Sequence, residues 1–260
     1  MDDEVLACGG TIARLPEPER IHVVYATNGM RSPAPIVPWK DAIEPSLGQE
    51  RMQESRTALR MLGVPVENAR FLQLPEAELR ANMPALRRSL LELLEELEPD
   101  YIFMPFRYDR HPDHLAVNDV ITSAHRQGVC PQAQLLEYFV YYRWRLLPGG
   151  DVRRYIRPHN LLGVDIQKVA KRKRKALDSF QSQTTIYYDW QTRPILTPTL
   201  LDEECIGPEL FLRYDQSAPG AAVFCRAVLW IRIVHRLEPI LQRWKYRVGA
   251  MLRRGLGRNV

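Results

Sequence analysis

The chain has 260 residues, of which 45% are hydrophobic and 26% are charged, a balance typical of a soluble globule with one large α/β domain. The net charge of +5 is unevenly spread, because residues 226–260 hold nine Arg or Lys and one acid, Glu238, which leaves −3 for the remainder. The basic character therefore belongs to a C-terminal extension. It does not predict a nucleic-acid-binding domain, in which the basic face belongs to the fold itself.

The cysteines and the ends of the chain bear on localisation. Four cysteines, Cys8, Cys130, Cys205 and Cys225, have no CxxC spacing, so we expect free thiols in a reducing compartment. The chain opens on acids rather than on a basic and then apolar segment, so no signal peptide is predicted. No run of about 18 uncharged apolar residues is present, so no spanning helix is predicted. We therefore expect a cytoplasmic protein.

Hydrophobic periodicity predicts strands that alternate with helices. Helices are predicted over residues 4–14, 47–62, 84–98, 115–127 and 165–181, and strands over 20–27, 71–74, 101–105 and 135–142. This order indicates an α/β fold with a Rossmann-like, mostly parallel sheet flanked by helices. Its first strand is missing, because such a domain normally begins with a strand whereas this chain begins with a helix. The stretch 183–220 is predicted to be irregular.

Two histidines and an aspartate follow the predicted strand at 101–105, in the run Arg110-His111-Pro112-Asp113-His114. In open α/β sheets, ligands bind at the carboxyl ends of the strands. Pro112 suits the first turn of the next helix, so His111 and His114 are held three residues apart on a stiff support. Histidine and aspartate side chains are ligands that zinc takes in sites with an open position.

A second acidic cluster, Asp2-Asp3-Glu4, stands where the first predicted helix begins. Paired carboxylates at such a place can both bind a metal and supply a base. Each motif alone has a plainer interpretation, since an HxxH pair is usually ordinary surface or core histidine and acids at a helix start usually complement the helix dipole. Together, each at a predicted strand-to-helix turn, the two motifs reinforce one another.

With residues 2–12 (DDEVLACGGTI) and the run His111-Pro112-Asp113-His114, the sequence resembles the PIG-L/LmbE-like zinc-dependent N-acetylglucosaminyl deacetylases. That family has His-Pro-Asp-Asp-Glu or His-Met-Asp-Asp-Glu near its N-terminus and His-Pro-Asp-His about a hundred residues later. The resemblance covers roughly residues 1 to 215. Smaller matching pieces are Ala26–Gly29, Arg51 with Glu54, Lys175-Ala176, Ser182-Gln183 and Glu209–Phe211.

The resemblance implies hydrolysis of an N-acetyl group from an N-acetylglucosamine-type sugar conjugate, a small-molecule partner. It implies Zn²⁺ held by Asp3 and His114, with Asp2 as the general base. A protonated His111 would stabilise the oxyanion, and Asp113 would orient one of the histidines. Substrate contacts are expected from Arg51 and Asn28.

The third zinc ligand of the resembling family is a histidine that would fall just before Met1. Either the start of the protein is assigned too late or the histidine ligand has been lost. The first explanation is favoured, because a domain that lost the preceding strand would expose the strands beside it. With two matched ligands, the chain as written is expected to have weak or no activity. The alternative is a catalytically silent LmbE-like binding or scaffold protein. A nucleotide-binding Rossmann protein is disfavoured, because G-x-G-x-x-G is absent.

The sequence divides at residue 220 into a deacetylase-like domain, 1–220, and a basic amphipathic helical extension, 221–260. At 100° per residue, four arginines fall within one arc of ~60°: Arg232, Arg236, Arg243 and Arg247. A basic amphipathic helix with tryptophan is typical of a peripheral membrane anchor or a partner-docking helix. Packing of its broad apolar side against the protein's own domain is an equal alternative.

Overall fold

The structure is a computed structural model that describes residues 1–31, 43–143, 150–189, 191–218 and 222–225, with seven further positions between 229 and 251. The helices are α1 Asp3–Arg14, α2 Pro45–Leu62, α3 Met83–Leu97, α4 Pro112–Arg126, α5 Ala170–Asp178, α6 Gln181–Thr184 and α7 Pro198–Glu204. The strands are β1 Val23–Thr27, β2 Ala69–Leu74, β3 Tyr101–Pro105, β4 Gln134–Tyr138, β5 Leu161–Val164 and β6 Glu209–Arg213. The fold is therefore α/β, as predicted.

Local signals in the sequence account for several element boundaries. Pro112 takes the first position of α4, where its missing N–H costs no hydrogen bond. Gly63 ends α2 with a φ of 89°, a left-handed conformation that glycine adopts without strain. The prediction for residues 183–220 was wrong in part, because this stretch contains α7 and β6.

The six strands lie in two sheets rather than in the one mostly parallel sheet that was predicted. In the first sheet β1 pairs with β2 in parallel. In the second, the order is β3-β4-β6-β5. The β3–β4 pair is parallel, whereas β6 is antiparallel to both of its neighbours. The sheet is thus mixed, and among the described residues no pairing joins β1 to β3.

The two sheets share the same covering layers. On one side, α1, α2 and α5 pack in a single apolar cluster against Tyr25 of β1 and against Leu136 and Phe211 of the second sheet. On the other side, α3 and α4 pack against Val24 of β1 and Met104 of β3. Both sheets therefore belong to one central layer of a three-layer arrangement.

The C-terminal segment is described at seven positions, all helical: Leu229, Ile233, Leu237, Ile240, Trp244, Val248 and Met251. All of them except Val248 have exposed side chains. The four arginines on which the amphipathic pattern depends lie outside the described residues, and the division of the chain at residue 220 stays a prediction. Among the helices that the structure describes, none has the length and apolar character needed to cross a membrane.

Candidate active site

His114 lies between two carboxylates contributed by separate parts of the chain. Its Nε2 is 3.2 Å from Asp3 Oδ2 at the start of α1, and its Nδ1 is 3.0 Å from Asp109 Oδ1 in the loop after β3. Burial disfavours the charged imidazole, but the two carboxylates outweigh it and raise the pKa of His114 to about 10. Burial would also raise the pKa of Asp3, yet His114 holds it below its ordinary value. The predicted ligand pair is thus brought together.

Asp109 is a site residue that the sequence analysis missed. Its side chain is buried, and besides facing His114 it accepts hydrogen bonds from the backbone N–H of His111 at 2.8 Å and of Tyr141 at 3.3 Å. It therefore fixes the loop and the ring of His114 together. The available signal was its position, two residues before His111 and just after a strand, but an acid in a polar loop is common.

His111 is the N-cap of α4, and its geometry differs from the protonated state that was expected. Its Nδ1 accepts a hydrogen bond from the backbone N–H of Asp113 at 3.3 Å, which assigns the ring proton to Nε2. Burial and the neighbouring charge of His114 lower the pKa of His111. The two ring centroids are 5.0 Å apart. We therefore describe His111 as a neutral imidazole that can donate from Nε2.

Asp113 does not orient a histidine with its side chain, so that prediction needs correction. Its carboxylate accepts hydrogen bonds from the backbone N–H of Ala77 at 2.6 Å and of Leu79 at 3.1 Å. These donors lie in the segment between β2 and α3. Asp113 thus ties α4 to that segment, and Asp109 takes the orienting position instead.

Asp2 is the N-cap of α1 and has a φ of 139°, which L-amino acids rarely adopt. Its side chain makes no capping hydrogen bond and is 14% exposed. Burial, opposed by the adjacent amino group, raises the pKa of Asp2 to about 7. A carboxylate with this pKa is half protonated near neutral pH and is suited to accept a proton.

Arg51 and Asn28, the predicted substrate contacts, are largely engaged within the protein. Arg51 is buried; its Nη1 donates to the carbonyl of Gly29 at 2.8 Å and lies 3.6 Å from the carboxylate of Glu76. With the amide oxygen of Gln183 turned toward it, Arg51 also donates from Nη2 and Nε. It still lines the site cavity.

Asn28 has a different role. Its Oδ1 accepts a hydrogen bond from the N–H of Met30 at 3.2 Å, which stabilises the turn after β1. Among the residues that the structure describes, it does not line the cavity around the site. The prediction of a substrate contact at Asn28 is therefore not supported by its position, and we assign it to the turn.

An open cavity of about 1150 Å³ connects these groups. Asp2, Asp3, His111 and His114 all line it. Tyr141, a second residue that the sequence analysis missed, forms part of its wall, with its ring centroid 5.8 Å from that of His114 and an exposed outer face. A proton acceptor, an imidazole donor and an aromatic surface therefore face the same space.

The family model PIG-L, described as GlcNAc-PI de-N-acetylase, matches residues 1–125. Residues 1–125 thus belong to the PIG-L family. Both site motifs fall within this PIG-L region, and the resemblance inferred from them is confirmed.

Solved structures extend the similarity beyond the PIG-L region. The conserved protein TT1542 from Thermus thermophilus is 23% identical, with 81% of this chain and 89% of that chain covered and a TM-score of 0.56. N,N'-diacetylchitobiose deacetylase from Pyrococcus horikoshii is 20% identical, with 82% and 80% covered and a TM-score of 0.54. A deacetylase of the teicoplanin biosynthesis pathway is 17% identical, with 83% and 96% covered and a TM-score of 0.58. At these identities the matches establish the fold.

The donor set of the PIG-L region fits a metal ion in part. Asp3 and His114 converge, and the contact of Asp109 with His114 Nδ1 is the arrangement that orients metal-binding histidines in proteins. An open zinc site, however, takes three protein ligands. Within the described ranges, no group of three His, Cys, Asp or Glu is placed to hold an ion. The residues thus provide an oriented pair of donors, not a complete set.

Proposed function

We propose that this chain is a metal-dependent N-deacetylase that hydrolyses the N-acetyl group of an N-acetylglucosamine-type sugar conjugate, releasing acetate and a free amine. The observation that carries the proposal is the placement of Asp2 beside the Asp3–His114 pair in one cavity. The PIG-L match supports the reaction type, since its description names a de-N-acetylase.

Asp3 and His114 would hold Zn²⁺, which when bound supplies a more acidic water and polarises a carbonyl group. Because this pair provides two of the three ligands that such a site takes, we expect the 260-residue chain to bind zinc weakly and to turn over slowly.

The side chains of the chain itself would handle the protons. Asp2 would accept a proton from the water that attacks the amide carbon, since its carboxylate lines the same cavity as the Asp3–His114 pair and burial raises its pKa above the ordinary aspartate value. His111 would donate a hydrogen bond from Nε2 to the amide oxygen as negative charge develops there. Asp2 could then return its proton to the departing amine. Tyr141 offers a flat surface beside both histidines for the sugar ring.

The direct test is acetate release from N-acetylglucosamine conjugates by the zinc-loaded chain and its Asp2→Asn variant. Loss of the proton acceptor should reduce turnover by about 10²-fold or more with little change in bound zinc. Glu67→Gln, which alters an exposed carboxylate away from the cavity, serves as the matched control. Equal turnover in the Asp2 variant would remove Asp2 as the base.

A second candidate, a catalytically silent binding protein, is favoured by the incomplete donor set among the described residues. The two functions differ in zinc content and turnover. Less than about 0.1 zinc per chain and no acetate release, with retained binding of an amino-sugar conjugate, would support the silent protein.

We also infer that the C-terminal helix contacts an anionic membrane surface. Among the described positions, the exposed apolar residues from Leu229 to Trp244 recur at intervals of four or three positions, and residues 226–260 carry a charge of +8 in the sequence. Apolar surface combined with positive charge is what binds such helices to acidic lipids. A cytoplasmic location would suit this contact.

Sedimentation with vesicles tests the membrane contact. Wild type should bind vesicles that contain phosphatidylserine more than pure phosphatidylcholine vesicles, and Leu237→Glu with Trp244→Glu should lose that binding. Ile206→Glu, which alters another highly exposed isoleucine, should retain it. Equal binding by all three proteins would contradict the assignment.

A further inference from the structure

The outer edge of the first sheet forms one side of a groove. β2 is paired with β1 along one edge, and among the described residues its other edge has no partner strand. A cavity of about 330 Å³ lies beside β2, and its described lining residues all belong to β2 or α3. A free strand edge presents a row of N–H and C=O groups that can pair with another chain. The groove thus lies between a strand edge and a helix.

The lining places this groove along the edge of β2 rather than over one of its faces. Residues 69–72 are consecutive in β2, and all four line the cavity. Their side chains alternate between the two faces of the sheet: Phe71 packs in the cluster with α1, α2 and α5, whereas Leu72 packs in the cluster with α3 and α4. Because residues from both faces line the cavity, an added strand there would continue the sheet.

The regular part of this edge is short. Gln73 has a φ of 58°, a left-handed conformation that departs from the extended backbone of a strand. The pairing of β1 with β2 also shifts its register between Tyr25 and Thr27. Regular pairing along the free edge is therefore limited to residues 69–72. An edge of this length suits a short peptide segment better than a large interface between two folded chains.

The helix side of the groove is acidic. Four residues of α3 line it at spacings that place them on one face of the helix: Ser89, Glu92, Leu93 and Glu96. Both glutamates are exposed. Glu96 accepts a hydrogen bond from Arg70 Nη2 at 2.8 Å, whereas Glu92 has no ion-pair partner within the described part of the chain. The α3 side of the groove therefore has one carboxylate that is not neutralised.

The other face of β2 is cationic. The guanidinium of Arg56 in α2 lies over the ring of Phe71, 4.9 Å from its centroid. In a strand added beside β2, successive side chains would point to opposite faces of the sheet. Every second side chain would therefore point toward Glu92 and Glu96, and the others would point toward Arg56.

We propose that this groove binds an extended peptide segment of a partner protein, which adds to β2 as a strand and has Lys or Arg at alternate positions. Hydrogen bonds between the two backbones would supply affinity, and the alternate basic side chains would supply specificity through Glu92 and Glu96. The residues between them should be uncharged or acidic, because they would face Arg56. This inference goes beyond the proposed deacetylase activity and does not rest on it.

Charge also argues against a second copy of this chain as the occupant. If β2 paired with itself across a two-fold axis, the α3 helices of the two copies would lie side by side. Glu92 and Glu96 of one copy would then face the same acidic residues of the other. Like charges placed opposite one another in an interface are unfavourable, and a basic segment avoids this cost.

The test uses three synthetic peptides of about seven residues, the length of an ordinary strand. The first alternates Lys and Val, the second has Glu in place of Lys, and the third repeats the first with methylated backbone nitrogens. The first should bind with a Kd below about 1 mM and slow hydrogen exchange at the amides of residues 69–72 at least about fivefold. The other two should bind at least about tenfold more weakly, since they lack the charge or the backbone donors.

Variants of the full chain locate the binding. Glu92→Lys should weaken binding of the Lys/Val peptide at least about tenfold, because it places a like charge in the groove. Glu95→Lys makes the same change at an exposed position of α3 outside the groove, and it should alter affinity less than about threefold. Ser89→Tyr, which fills the groove without changing its charge, should weaken binding as well.

Absence of binding up to about 1 mM, or equal binding of the Lys and Glu peptides, would overturn the proposal. Equal effects of Glu92→Lys and Glu95→Lys would also overturn it, as would undiminished binding of the methylated peptide or unchanged exchange at residues 69–72. Self-association of the chain that Glu92→Lys alters would assign the groove to a second copy instead. None of these measurements depends on zinc or turnover, so failure of the deacetylase proposal would leave them unaffected.

Discussion

Lys173 Nζ lies 2.8 Å from Glu209 Oε1, and the Lys173 side chain is completely buried. Lys173 also donates to the backbone carbonyl of Leu6 at 2.7 Å, while Glu209 accepts from the backbone N–H of Gly10 and of Thr11, each at 2.7 Å. Both members of the ion pair therefore attach to the backbone of α1. Since α1 begins at the Asp2–Asp3 pair, this contact connects the interior of the protein to the candidate active site.

Replacing Lys173 with Met should lower the free energy of unfolding by about 3–5 kcal/mol, because Glu209 would be left buried without its counter-charge. Denaturant titration measures the loss. Lys171→Met, on the exposed side of the same helix, should change stability by less than about 0.5 kcal/mol. A Lys173→Met/Glu209→Gln double variant should recover part of the loss, and a double variant no better than the single one would contradict the ion-pair explanation.

Replacing Asp109 with Asn should weaken zinc binding about 10–100-fold. The side chain at position 109, which faces His114 Nδ1, would lose its negative charge, and an amide can present either a donor or an acceptor to that nitrogen. Calorimetric titration with zinc gives the affinity. Asp189→Asn, at an exposed position that does not line the cavity, is the comparison. Equal affinities for the two variants would mean that Asp109 organises the loop only.

Replacing Arg107 with Met should destabilise the protein in a pH-dependent manner. Arg107 Nε donates to both carboxylate oxygens of the fully buried Glu137, at 3.0 and 2.8 Å. Burial raises the pKa of Glu137 even with Arg107 present, and removing the cation would raise it further. Because the pKa of Glu137 is higher in the folded state than in the unfolded state, its ionisation lowers the stability of the folded state as the pH increases. The loss of stability should therefore be smallest near about pH 4.5 and should grow toward about pH 8.

Chemical denaturation of the Arg107→Met variant at a series of pH values provides the measurement. In an Arg107→Met/Glu137→Gln double variant, the glutamine cannot ionise, so the added pH dependence should disappear. A pH dependence that persists in the double variant would assign it to another group.

Replacing Gly10 with Ala should cost about 1–3 kcal/mol through overpacking. A Cβ at this position of α1 would collide with the Ile166 side chain, and it would lie 3.0 Å from Glu209 Oε1. Gly163→Ala, whose new methyl would meet Leu210 at an ordinary 3.6 Å, is the matched control for thermal unfolding. Similar melting temperatures for both variants would show that α1 can shift to accept the methyl group.

The sequence predicted best what depends on neighbouring residues. The end of α2 followed from Gly63, and the approach of Asp3 to His114 followed from two motifs at strand-to-helix turns. Pro112 indicated the first turn of α4, although the helix was predicted to begin at residue 115. Each of these signals is local, or combines two local signals through the known geometry of α/β sheets. They were sufficient for the fold class and the centre of the site.

The parts that escaped prediction depend on contacts between distant segments. Lys173 lies in a run of five basic residues that is typical of a solvated helix face, whereas the packing of α5 against α1, α7 and β6 buries it. Asp113 was assigned to a histidine because it lies beside one in sequence, whereas its partners Ala77 and Leu79 come from a loop 36 and 34 positions away. Proximity along the chain was a poor guide to the direction of these side chains.

The hydrogen bonds of Asp113 also affect how firmly the two sheets of the central layer are held together. They join the loop after β2 to the helix after β3, so a buried carboxylate holds the two sheets together at the carboxyl ends of their strands. At the amino ends of β1 and β3, the ion pair between Arg20 and Asp100 connects the two sheets, and its side chains are 67% and 64% exposed. Exposed ion pairs hold weakly. The two sheets should therefore separate more readily at this end, which lies away from the candidate site, than at the end held by Asp113, so the spacing of Asp3 and His114 should persist when the amino ends of the strands open.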